Sequence, residues 1–218
     1  MSEVFGIYDG GKVILNNEEL LEGRGDALSV TFEGEIYNRR ELLATLERKE
    51  HKFKSGTDSE IVGCAYREWG EACVKKFNGA FSFCIYDIDK RGLFLARDPM
   101  GARFLYYTNH DGRFIFSSRV QSITEVPQFQ KEIDLGALNY SVGSRNVPDE
   151  LCIFKNMKRL LPGGVAKFDL KSGMLETGRY WEPRILEPET ANEDELLEKL
   201  EGILVNSLKL RMNGEKSL

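Results

Sequence analysis

The chain has 218 residues, 41% of them hydrophobic and 30% charged, with a net charge of −5. That length suffices for one well-buried domain, and the composition is that of an ordinary globular protein. The acidic balance gives no electrostatic reason to expect nucleic acid or an anionic membrane as a partner, and no apolar run is long enough to span a bilayer.

The predicted elements begin with a buried strand over Val4–Tyr8. A tight turn at Asp9-Gly10-Gly11 follows, with a return strand over Lys12–Leu15. Ala27–Phe32 is a further strand. Asn38 is placed to cap a helix over Arg39–Arg48, with Leu42, Leu43 and Leu46 on one apolar face. Thr57 or Asp58 caps a second helix, whose apolar face carries Ile61, Cys64, Ala65 and Trp69 and whose end suits Gly70. Strands at Gly79–Tyr86 and Leu93–Arg97 flank the turn 87–92. Phe104–Thr108 and Arg113–Ser117 form another hairpin around His110-Asp111-Gly112.

Beyond Asp134 a short helix, Leu135–Ser141, leads into an irregular stretch through Pro148. A last hairpin spans Gly164–Leu170 and Met174–Tyr180. Pro183–Thr190 holds two of the six prolines and reads as a linker. The final helix begins near Asn192 and runs to about Met212, with Leu196, Leu200, Ile203, Leu204 and Leu208 as its apolar stripe. Cys64, Cys73, Cys84 and Cys152 are dispersed, and His51 and His110 are isolated. These spacings suit neither a zinc site nor a Cys–His pair, so no metal is expected, and free cysteines suit a reducing cytoplasm.

Several runs, in order, resemble the N-terminal glutaminase domain of asparagine synthetases. They are Phe5-Gly6, Gly34-Glu35-Ile36-Tyr37-Asn38, Ser55-Gly56-Thr57-Asp58-Ser59-Glu60, Asn78-Gly79-Ala80-Phe81-Ser82-Phe83, Ala96-Arg97-Asp98-Pro99-Met100-Gly101, Leu105-Tyr106-Tyr107 and Leu161-Pro162-Gly163-Gly164. Each run alone is weak, and their shared order over most of the chain is strong. The resemblance implies a class II glutamine amidotransferase domain with the N-terminal-nucleophile hydrolase fold: an α+β, four-layer αββα sandwich of two mainly antiparallel sheets, here with a C-terminal helix. It implies a domain over residues 1–182, a linker over 183–191, and a helix over 192–218 that opens a following synthetase domain, in cis or in trans. ATP and Mg belong to that domain, and no cofactor is expected in this chain.

The departures from the family pattern lie at the site. Ser2 stands where the family has its nucleophilic cysteine, and Glu3 where it has glycine. Glu33 replaces the asparagine of Asn-Gly-Glu-Ile-Tyr-Asn, an oxyanion donor. The short span Asp9–Thr31 has no match to the family's Arg-Gly-Pro-Asp run or to its carboxylate-gripping arginine. Arg24 is a candidate for the latter by sequence proximity alone. The Gly34 N–H remains as an oxyanion donor, and Glu35 and Asp58 correspond to the acidic residues near the glutamine α-amine.

The bland readings are a solvent-facing Glu33, a helix-capping Asp58, and Arg97 with Asp98 as a structural ion pair or turn network. Glu3 beside the terminal amine would raise its pKa and weaken it as a base. The reading these residues carry is a glutaminase-like domain of an asparagine-synthetase-like, ATP-dependent amide ligase that lacks glutaminase activity; the β-lactam-forming synthetases that the family resembles likewise have a glutaminase-like domain without its cysteine. The alternatives are an active amidotransferase using Ser2 and a stand-alone interaction protein that keeps the fold. A homodimer is compatible with each.

Overall fold

A computed structural model describes residues 3–16, 18–20, 28–144, 148, 150–184 and 192–212. Ser2, Arg24 and most of the expected linker lie outside the described residues, as does Ala27 of the expected third strand.

Among the described residues, eleven strands form two antiparallel sheets. They are β1 (Phe5–Asp9), β2 (Lys12–Leu15), β3 (Glu18–Leu20), β4 (Leu28–Ile36), β5 (Gly79–Asp87), β6 (Gly92–Arg97), β7 (Tyr106–His110), β8 (Arg113–Ser117), β9 (Lys158–Arg159), β10 (Gly164–Asp169) and β11 (Leu175–Arg179). The first sheet runs β3-β2-β1-β8-β7-β9 and the second β11-β10-β6-β5-β4. Asp9 pairs with Lys12, so Gly10-Gly11 is a two-residue loop. Both glycines have positive φ, as such a hairpin turn requires.

Alternation along the strands sorts their side chains between layers. Phe81, Phe83 and Ile85 of β5 pack with Ile61, Val62 and Ala65 of helix α2 (Asp58–Trp69) and with Leu42 and Leu46 of helix α1 (Arg39–Glu47). The intervening Cys84 and Tyr86 pack with Val4, Val13, Phe114 and Phe116 of the facing sheet. The far side of that sheet is covered by Ile123 of the short helix α3 (Val120–Thr124) and by Cys152 and Met157. This is the expected αββα sandwich, and its fourth layer is built mainly of irregular chain.

Several local expectations change. Strand β1 is half-buried rather than buried, because its odd residues face the thin fourth layer. Strand β4 continues to Ile36, carrying Gly34 and Glu35 into the sheet. A 3-10 turn over Gly70–Lys76 follows α2, and α3, β3 and β9 were not expected. Asn38 occupies the cap position of α1 but makes no cap bond. Its amide instead clasps the chain before β5, donating to the Lys76 carbonyl at 3.0 Å and accepting from the Asn78 N–H at 2.9 Å.

Helix α4 spans Leu135–Ser144, three residues longer than expected. Helix α5 (Glu193–Met212) contains no buried residue. Its stripe, Leu196, Leu200, Ile203, Leu204 and Leu208, is exposed. The Arg211 guanidinium lies over the Tyr37 ring, 4.8 Å from its centre. No helix among the described residues is long and apolar enough to cross a membrane.

Candidate active site

The end of β4 is shaped by its pairing with β5. Gly34 lies opposite Phe81 and Glu33 opposite Ser82. The Tyr37 N–H donates to the Asn78 carbonyl at 2.7 Å. Counting back from that bond, antiparallel alternation makes Gly34 and Ile36 members of non-hydrogen-bonded pairs. Their N–H groups therefore point away from β5. Strand β4 is the edge of its sheet, so they point off the open edge. Ile36 shows this directly, since its N–H donates to Asp58 Oδ2 at 3.2 Å. Gly34 sits two residues before it on the same edge.

Asp58 is not the cap of α2. Thr57 is: its side chain accepts the Glu60 N–H. Asp58 is the first helical residue, and its carboxyl crosses to β4. Its side chain is 15% exposed, with Arg39 Nη1 4.0 Å from Oδ1. Burial pushes the Asp58 carboxyl above the ordinary range, while the Ile36 N–H and Arg39 pull it back and the nearby Glu35 carboxylate pushes it further up. The fold thus brings Gly34, Glu35 and Asp58 together at one strand edge. Glu35 is exposed there.

Glu33 is not solvent-facing. Its side chain is 16% exposed, and its Oε1 lies 3.9 Å from Arg103 Nη1. Arg103 owes its place to the loop after β6. Arg97 is buried and donates to the Arg103, Leu160 and Gly101 carbonyls, each at 2.6 Å. Asp98, also buried, accepts the N–H groups of Met100 and Ala102 at 3.0 Å and of Arg103 at 2.9 Å. Both residues therefore fold the loop through its backbone, the turn-network alternative of the sequence reading. Arg103 was missed because nothing in its local pattern marks it; only the folded loop carries it to Glu33.

Glu3 has partners that its sequence position does not reveal. Its Oε1 accepts from the Ser117 hydroxyl at 2.8 Å and from the Ser122 hydroxyl, and Arg119 lies 4.0 Å from its Oε2. Phe5, Ser117 and Tyr106 are in register on one sheet. Glu33, Ser82 and Arg97 are in register on the other. The loop 98–105 joins these two rows, so the start of β1 and Glu33 open on the same end of the sandwich. A hollow of about 270 Å³ lined by Asp9, Thr108, His110 and Arg113 contains none of these site residues.

The comparisons with known proteins agree with this architecture. A model of the glutamine amidotransferase domain family matches residues 18–181. The chain belongs to that family, as a class II domain of the asparagine-synthetase type. It is 32% identical over 160 residues to asparagine synthetase [glutamine-hydrolyzing] 3 of Bacillus subtilis, covering 72% of this chain and 26% of that protein. It is also 32% identical over 209 residues to putative asparagine synthetase [glutamine-hydrolyzing] 2 of Methanocaldococcus jannaschii, covering 95% of this chain and 39% of the relative. The chain thus spans well under half the length of these relatives.

Among solved structures, the fold is similar to a glutamine phosphoribosylpyrophosphate amidotransferase from B. subtilis. The TM-score is 0.50 at 14% identity, over 75% of this chain and 31% of that one. It is similar also to an allosteric regulatory enzyme of purine biosynthesis, with TM-score 0.52 at 12% identity, over 84% of this chain and 43% of that one.

Proposed function

We propose that the chain is the glutaminase-like domain of an asparagine-synthetase-like, ATP-dependent amide ligase of the cytoplasm, and that it does not itself hydrolyse glutamine. The observation that carries this reading is the half-buried carboxylate of Glu33, directly before Gly34. Glutamine hydrolysis builds negative charge on the carboxamide oxygen, and preorganised donors must meet it. The Gly34 N–H on the open strand edge is one such donor. A carboxylate in place of the neighbouring side-chain donor opposes the charge, and Arg103 offsets that only in part. Loss of one oxyanion donor alone typically costs ~10²–10³ in rate. Ser2 at the nucleophile position acts in the same direction, because a hydroxyl is a poorer nucleophile than a thiolate.

The acceptor pair survives in part. Asp58 and Glu35 offer negative charge to a substrate α-amine. Arg24 is the candidate cation for its carboxylate, which without one would be buried unpaired at high cost. The reading places a glutaminase-like domain over residues 1–182 and has helix α5 (Glu193–Met212) open a following synthetase domain, which would hold the ATP and Mg. The exposed stripe of α5 is the surface such a domain would cover.

The test is amide formation by the full gene product, with glutamine or with ammonium as nitrogen donor. Turnover with ammonium alone supports the reading. Equal turnover with glutamine overturns it in favour of an active amidotransferase using Ser2.

A further inference from the structure

Strands β4 and β5 carry a row of polar atoms on the face between the sheets. Phe32 and Ile36 of β4 and Phe81 and Phe83 of β5 pack toward the helices. By alternation Thr31, Glu33 and Ser82 face the opposite sheet. Ser82 lies directly across from Glu33, and Thr31 is two residues along the same strand. Ser82 is 0% and Thr31 4% exposed. Ser82 Oγ, Thr31 Oγ1 and Glu33 Oε2 are each buried without a hydrogen-bond partner among the described residues. Buried polar atoms are nearly always satisfied, and an unsatisfied carboxylate oxygen is the most costly kind. Three such atoms lie on one patch of sheet and offer a ligand unused acceptors.

The chemistry of the three atoms narrows the ligand. One carboxylate oxygen and two hydroxyl oxygens make an acceptor-rich, singly anionic site. Zinc prefers nitrogen and sulfur donors, and calcium takes six to eight oxygens, commonly from several carboxylates. A small monovalent cation that donates hydrogen bonds fits better. Arg103 covers Oε1 and leaves Oε2 to the interior.

We propose that Glu33, Ser82 and Thr31 form a binding site for ammonium between the sheets. The ammonium N–H groups donate to Glu33 Oε2 and to the two hydroxyl oxygens. The Arg103 charge shares the carboxylate, which weakens the binding. The site stands on this geometry alone. Its use, concentrating ammonium for a ligase that draws no nitrogen from glutamine, rests on the function proposed above.

The experiment is a titration of the uniformly ¹⁵N-labelled chain with ammonium chloride, against sodium and potassium chloride at equal ionic strength and without glutamine. Saturable shifts of the Thr31, Glu33 and Ser82 amides with ammonium, absent with sodium and potassium, are expected. Glu33→Gln should weaken the response by at least about tenfold, as expected for loss of a charge-assisted bond. Ser82→Ala should weaken it less. Overlay of the remaining amide signals with wild type confirms that each variant is folded.

Equal responses to all three salts overturn the assignment, as does a linear response that never saturates, which would mean that water fills the row. The wild-type salt comparison decides the matter even if a variant fails to fold. Since glutamine is absent throughout, failure here leaves the glutaminase question untouched.

Discussion

Asp58 and Ile36 are tied by a single bond, from the Ile36 N–H to Asp58 Oδ2 at 3.2 Å. It locks the first residue of helix α2 to the edge of strand β4, 22 residues away in sequence. Because the edge N–H of Ile36 is occupied by the protein, the oxyanion donor proposed for this motif is the N–H of Gly34. The same bond explains why Asp58 is a poor choice for a cap, since its carboxyl already serves the strand.

Gly34 is held at φ +122°, and a Cβ there would overlap the Ala80 carbonyl and lie 2.8 Å from the Phe81 Cα. Gly34→Ala is expected to destabilise the fold by at least about 2 kcal/mol, combining the backbone conformation with the close approach. Urea unfolding monitored by tryptophan fluorescence measures this.

Arg97 satisfies three carbonyls from one buried guanidinium. Lysine cannot reproduce that fork, so Arg97→Lys leaves carbonyls unpaired and should cost about 2–4 kcal/mol. Release of the loop should also free Arg103 from Glu33. Thermal unfolding reads the first effect. The amide signals of residues 98–105 read the second.

Glu60 accepts the N–H groups of Lys54, Ser55 and Gly56, which hold its carboxyl down at about 2. A carboxylate depressed in the folded state contributes stability that is present above its ordinary value of 4.5 and lost as pH falls through about 2. Carboxyl-carbon NMR of the folded chain should show this titration midpoint. Glu60→Gln should flatten the acid limb of the stability profile.

Individual strands and helices were legible because turn residues and helical periodicity are local signals, as with Leu42 and Leu46 on one face of α1. Their stacking as an αββα sandwich was implied by the family resemblance. The Gly34–Glu35–Asp58 grouping was legible only through family resemblance, since residues 35 and 58 share no local pattern. The Glu33–Arg103 approach was not legible at all, because it depends on Arg97 and Asp98 folding the intervening loop. Strand β9 and helix α3 escaped because two and five residues carry too little periodicity to register.

Helix α5 offers a separate check. Leu200 and Ile203 are 52% and 66% exposed. The double change Leu200→Ser and Ile203→Ser should alter the unfolding free energy of this chain by no more than about 0.5 kcal/mol per site. The same change in the full gene product should destabilise it if a synthetase domain covers the stripe. Differential scanning calorimetry of both proteins makes the comparison.

The central claim is tested most directly by glutamate release from glutamine, with removal of Met1 confirmed by intact mass. Wild type, Ser2→Cys and the double variant Ser2→Cys with Glu33→Asn should be compared. Parts of a catalytic unit are not additive, so wild type and Ser2→Cys should both show no detectable turnover, and any gain should require the second change. Turnover near the enzyme median of ~10 s⁻¹ in wild type or in Ser2→Cys would contradict the account.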